Sequence, residues 1–138
     1  PCTIFDNFDI HLVFSGVTRN SKRILQKVTE NLDKVLPLLD TCDNAYESII
    51  NDDHDRFLYL VGKSWYQKKA TTSSIIENDI INEMDKVLEK NSTICAHRLC
   101  GAGNGGFFLT FSEKNMLNIP YESVRIDVET SGVTGRII

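Results

Sequence analysis

The stretch RLCGAGNGGFFLTF, Arg98 to Phe111, decides how this chain is read. Its glycines at 101, 103 and 106 spell G-x-G-x-x-G, a spacing shared by dinucleotide sites, phosphate clamps and plain tight turns. A dinucleotide fingerprint needs a strand, the glycine turn and then a helix whose N-terminus meets the pyrophosphate. Here two phenylalanines, a leucine and a β-branched threonine follow the glycines, a composition that favours a strand. Nor does the remaining chain have room for a full βαβ unit with its acidic residue. A Walker loop fails for want of a Lys-Ser/Thr after the glycines. A protein-kinase glycine loop fails for want of the H-R-D and D-F-G segments.

The loop is therefore a hairpin connection, yet it holds more glycine than a hairpin needs. A two-residue turn requires one or two residues at positive φ, whereas positions 101, 103, 105 and 106 are all glycine and 102 is alanine. Such an excess weakens the fold through backbone entropy unless something approaches the backbone closely. A loop without side chains can present N–H groups to an anion, or lie flat against another loop that does.

Outward from the loop, the apolar period divides the chain. Asp9 to Phe14 alternates as a strand and stops at Ser15-Gly16. From Arg19 to about Leu36, Ile24, Leu25, Val28, Leu32, Val35 and Leu36 fall at helical spacing. Pro37 marks a boundary, after which a second helix runs to about Ile50. A third follows Asn51-Asp52-Asp53 with Phe57, Leu58, Leu60, Val61 and Trp65 inward, and breaks at Thr71 to Ser74. Glu77 to Lys90 is a fourth, with Ile80, Ile81, Met84, Val87 and Leu88 inward. Thr93 to Cys100, Phe107 to Phe111 and Val124 to Val128 read as strands, with Ile137-Ile138 as a short last one. A strand, several helices and a run of strands predict an α+β fold: an antiparallel sheet of about four strands with helices packed on one face.

The 138 residues suit one domain, 1–138. A net charge of −4 offers no basic face for nucleic acid, although a few amides and cations can still hold a small anion. No apolar run approaches the roughly 20 residues that cross a bilayer, so no membrane partner is expected. Cys2, Cys42, Cys95 and Cys100 form no C-x-x-C pair and have no histidine at metal-ligand spacing. Reduced thiols and a cytoplasmic location are expected on that basis.

The segment LCGAGNGGFFLTF resembles the third conserved motif of the GHMP small-molecule kinases, a Gly-Ala-Gly-rich loop between two strands of their C-terminal domain. LVFSGVTRNSKRIL (Leu12 to Leu25) is similar to the strand and helix that open that domain in the sugar-kinase branch, and GKSWYQKK (Gly62 to Lys69) resembles its Trp-x-x-Lys-Lys stretch. Together they resemble the D-glycero-D-manno-heptose 7-phosphate kinase and fucokinase-like group more than galactokinase.

The resemblance implies transfer of the γ-phosphoryl of ATP, with Mg²⁺, to a hydroxyl of a sugar or sugar phosphate. It implies that Gly101, Ala102, Gly103, Asn104, Gly105 and Gly106 form a wall of the cleft, packed against a nucleotide loop from an N-terminal domain. Asn104 stands where that loop usually carries glycine; its side chain either narrows the cleft or adds a hydrogen bond. The family's Pro-x-x-x-Gly-Leu-Gly-Ser-Ser-Ala loop and the half bearing the catalytic Asp are not in this sequence. The expectation is a C-terminal half that is inactive alone, needs the N-terminal kinase domain as partner and self-associates through the exposed interface. A stand-alone small-molecule-binding or protein-interaction module on the same fold is the alternative.

Three cations are candidate substrate contacts. Arg19, just past the first strand, either reaches a sugar phosphate or is a solvated arginine at a helix start. Lys68, with Lys69, either contacts substrate or complements a helix C-terminus. Arg98 either touches phosphate or is outward strand charge. Ser15 and Thr18 read as turn and cap residues, and the Asp52-Asp53-His54-Asp55 cluster as a cap rather than a metal site. His11, His54 and His97 are assigned no catalytic role, and Asp127 and Glu129 read as surface carboxylates.

Overall fold

In a computed structural model of the protein, residues 4–18, 26–101 and 104–127 are described. A 3₁₀ turn (Ile4–Asn7) precedes β1 (Phe8–Phe14). Helices α1 (Leu32–Ile50) and α2 (His54–Thr71) form a hairpin, and a second 3₁₀ turn (Ser73–Ile76) leads to α3 (Asp79–Lys90). Strands β2 (Ile94–Leu99), β3 (Phe107–Glu113) and β4 (Ser123–Ile126) follow. The strands make one antiparallel sheet in the order β2-β3-β1-β4. The chain is thus α+β, with the expected four-stranded antiparallel sheet and packed helices.

Register explains where the core sits. Val13, Phe108 and Leu99 are cross-strand partners, as are Ile10, Phe111 and Ala96. Members of the two rows lie three positions apart along each strand, so alternation points them to opposite faces. The Val13 row packs with Ile81, Met84 and Leu88 of α3 and with Ile75. The Ile10 row packs with Phe57 and Leu58 of α2. Helix α2 lies against the edge strand β2 and reaches around it, because Trp65 of the same helix joins the Val13 row. An edge strand's unpaired backbone is covered in this way. The helical layer therefore extends beyond one face.

Several boundaries differ from the sequence expectation. Residues 26–29 are helical, but the break falls at Glu30 and Asn31, and α1 then runs through Pro37. The Asn31 amide donates to the Lys27 carbonyl at 3.0 Å and closes the preceding turn. Pro37 then costs α1 one backbone hydrogen bond and does not end it. Leu32 and Leu36, expected inward, are exposed. Ile80 is exposed too: Ile81, Met84, Asp85 and Leu88 set the inward phase of α3, and residue 80 is rotated about 100° from residue 81. Arg19, Ala102, Gly103, Glu129 and the Ile137-Ile138 strand lie outside the described residues.

Candidate functional site

The glycine loop does join two antiparallel strands. Cys100 N–H donates to the Phe107 carbonyl at 2.8 Å and closes the hairpin across its base. Gly101, Gly105 and Gly106 have φ of +85°, +158° and +93°, and Asn104 has +55°. These left-handed values account for glycine at three of the positions and for asparagine, which tolerates that region, at the fourth.

Neighbouring segments tie the loop down. Beyond β1, Ser15 N–H and Oγ both donate to the Gly106 carbonyl, while Gly106 N–H donates to Val17 O at 2.9 Å. Ser15 Oγ also accepts from Val17 N–H at 3.1 Å, so its hydroxyl organises the turn that carries Gly16 at φ +72°. From the other side, Asn104 N–H donates to Ile75 O at 2.6 Å, and Asn104 Oδ1 accepts from Asn78 N–H at 2.5 Å. Asn78 is itself the N-cap of α3, its Oδ1 accepting from Ile80 and Ile81. Asn104 thus locks the loop to the start of α3; of its two expected roles, it performs the hydrogen bond.

Lys68, near the end of α2, donates from Nζ to the Gly101 carbonyl. The structure therefore brings Lys68 to the glycine loop. Arg98 goes elsewhere. Its side chain is half-buried on the Ile10 face of the sheet, where Nη1 donates to Ser64 Oγ at 3.1 Å. It is not outward strand charge, because α2 covers the β2 edge at that point.

Ser15, Val17, Ile75, Asn78 and Lys68 all bond to the described residues of the loop, Lys68 supplying a cation. The N–H groups of residues 104 and 106 are spent inside the protein. That segment is a hydrogen-bonded, side-chain-poor surface against which another loop can pack. The aspartate cluster before α2 behaves as a cap, with Asp53 accepting from Arg56 N–H at 3.2 Å. Among the described residues, no group of three His, Cys, Asp or Glu side chains converges on a metal position. Cys42, Cys95 and Cys100 are free thiols, and no helix is long and apolar enough to cross a membrane among the described residues.

A second polar assembly went unread in the sequence. Asp85 of α3 is buried on the Val13 face, its Oδ1 accepting from Trp65 Nε1 and His97 Nε2, both at 2.7 Å. Its Oδ2 accepts from Lys69 Nζ at 2.9 Å, and Lys69 lies over the rings of Trp65 and Tyr66. Burial pushes the carboxyl up, but these donors outweigh it and hold Asp85 at about 2. Tyr66 donates to Glu89 at 2.7 Å, and that bond raises its phenol above the usual range. The signal was present: residue 85 shares the inward phase of α3 with Ile81 and Leu88, and residue 97 alternates in step with Leu99.

No protein-family profile and no curated protein sequence matches the chain. Solved structures do match, among them L. major mevalonate kinase in complex with R-mevalonate, with a TM-score of 0.55 at 14% identity over 78% of this chain. The chain spans about a third (34%) of that enzyme's length. At this identity the likeness is one of fold: the four-stranded antiparallel sheet and its packed helices are shared with part of that enzyme.

Proposed function

We propose that the chain acts as the C-terminal half of an ATP-dependent kinase that phosphorylates a hydroxyl of a sugar or sugar phosphate. The observation that carries this reading is the glycine loop between β2 and β3, whose residues 101 and 104–106 have positive φ and are latched to the turn after β1, the second 3₁₀ turn and the N-cap of α3. Phosphoryl transfer depends chiefly on positioning and charge neutralisation. Here the half supplies positioning: a flat wall, with Lys68 as the cation beside it. The loop fits a place beside the phosphates of ATP, which supplies the transferred group. In this reading Mg²⁺ rides on the phosphates in the part of the cleft that the N-terminal domain supplies, and the chain alone does not turn over. Within the family, Leu12 to Leu25 and Gly62 to Lys69 support the heptose 7-phosphate and fucose-like branch. A cytoplasmic location accompanies that reading.

The test is ATP turnover by a protein joining this chain to its N-terminal domain, assayed on heptose 7-phosphate and fucose-like sugars. Activity on one of them is expected, with loss of at least a hundredfold in Gly103→Val/Gly105→Val while circular dichroism stays native. Turnover with none of these sugars sinks the sugar-kinase reading, and an undiminished double variant sinks the role of the loop. A second reading, a stand-alone interaction module, draws on α1. Leu32, Leu36, Leu39, Tyr46 and Ile50 are 60–64% exposed and spaced along one side of that helix. Under the kinase reading this seam receives another domain or a second copy of the chain.

A further inference from the structure

We infer that the cavity between α1, α2 and the end of β2 is a binding site for an apolar monocarboxylate, with Arg98 as its anchor. The inference is independent of the kinase reading, since it uses neither the glycine loop nor Lys68. The cavity holds about 330 Å³ and is walled by Leu38 and Ala45 of α1 and by Leu60 and Val61 of α2. That volume lies within the range of small-ligand pockets, which are mostly apolar with a few placed polar groups.

Apart from the weakly polar Cys42 thiol, the polar groups lining the cavity leave a hydrogen-bonding gap at Arg98, and it favours an anion. Ser64 Oγ donates to the Val61 carbonyl at 2.6 Å, so its proton is spent, and its lone pair receives Arg98 Nη1 at 3.1 Å. Thr41 Oγ1 spends its proton on Gln67 Oε1 at 2.6 Å. Neither hydroxyl is left to donate to a ligand. Arg98 carries five N–H groups in a planar fork, and among the described residues its bond to Ser64 is its one partner, with no carboxylate paired to it. A half-buried guanidinium without a counter-ion loses hydration and gains no charge partner. A planar carboxylate matches the fork with two parallel hydrogen bonds. The apolar walls then select a hydrocarbon tail, and they offer nothing to the hydroxyls of a sugar.

The experiment titrates the 138-residue chain with butyrate, hexanoate, 1-hexanol and inorganic phosphate, followed by calorimetry and amide chemical shifts. Saturable hexanoate binding is expected, with shifts centred on α1, α2 and residue 98. Affinity should rise about fourfold per buried methylene from butyrate to hexanoate. Hexanol should bind at least tenfold more weakly, and Arg98→Gln should lose at least tenfold, with Arg98→Lys retaining part. Should Arg98→Gln perturb the fold, Ala45→Phe fills the cavity from the opposite wall, leaves Arg98 in place and is expected to abolish binding. The inference is overturned by absence of saturable hexanoate binding or by hexanol equalling hexanoate. It is also overturned by phosphate binding as well as hexanoate, or by Arg98→Gln in a native fold, or Ala45→Phe, leaving affinity unchanged.

Discussion

Replacing Asp85 with asparagine removes the negative charge on which Trp65, His97 and Lys69 converge. A native carboxyl held at about 2, against 3.8 for the free group, differs by about two units, or roughly 2.5 kcal/mol at 1.36 kcal/mol per unit. Removing one member of a buried ion pair typically costs about 3–5 kcal/mol. Asparagine keeps the shape and one acceptor, and the Lys69 side chain, 18% exposed against 8% for Asp85, can turn toward water. The expected cost is therefore about 3 kcal/mol, near the lower bound.

Urea unfolding followed by Trp65 fluorescence reads this directly, and pH supplies the control. Because the folded pKa is depressed, the contribution of Asp85 is fully present above the unfolded value near 4 and is lost as pH falls through about 2. The gap between wild type and Asp85→Asn should therefore shrink by about 2 kcal/mol between pH 5 and pH 2. Other carboxylates titrate in the same window, but they are common to both proteins and cancel in the difference. A cost under 1 kcal/mol at pH 7, or a gap constant with pH, would mean that the Asp85 charge does not stabilise the fold.

Asn104 separates two effects at one position. Asn104→Gly keeps the left-handed backbone but loses the bond to Asn78 N–H, for an expected loss of about 1 kcal/mol, whereas Asn104→Ala adds strain at φ +55° and should cost about 1 kcal/mol more. Equal losses in thermal or urea unfolding would show that backbone handedness contributes nothing there. The α1 seam predicts concentration-dependent self-association by sedimentation, reversed by Leu36→Glu/Leu39→Glu with no loss of stability, since both side chains already face water. A wild type that stays monomeric at high concentration removes self-association from the proposal.

Much of the fold was legible because local periodicity and tertiary packing agree. Phe107 to Phe111 reads as a strand and forms one, and Trp65 reads as core and is 1% exposed. The misreadings occur where a local rule met a competing partner. Pro37 is a boundary signal, but Asn31 had already closed the previous turn, so the helix began earlier and ran through the proline. Leu32 and Leu36 have helical spacing, but spacing shows that a helix has an apolar side, not that the side is covered. At the candidate site, the glycines were readable as a loop and Lys68 as a separate candidate cation, whereas the bonds of Lys68, Ser15 and Asn78 to that loop were not readable. The last two join positions 91 and 26 residues apart, and no local pattern encodes them.

Local pattern suffices for the alternation that makes β1, β2 and β3, for the inward phase of α2 and, Ile80 apart, of α3, and for the strand after the glycines that excludes a dinucleotide fold. These follow from side-chain size, backbone sterics and spacing within a few residues. Long-range packing places Arg98 on the wall of an apolar cavity, ties Asn104 and its loop to the start of α3, and surrounds Asp85 with donors. Each outcome depends on which distant group occupies the space in front of a polar side chain. The free energy of burying a charge or an amide depends on that neighbour, which is fixed only when the sheet and helices pack.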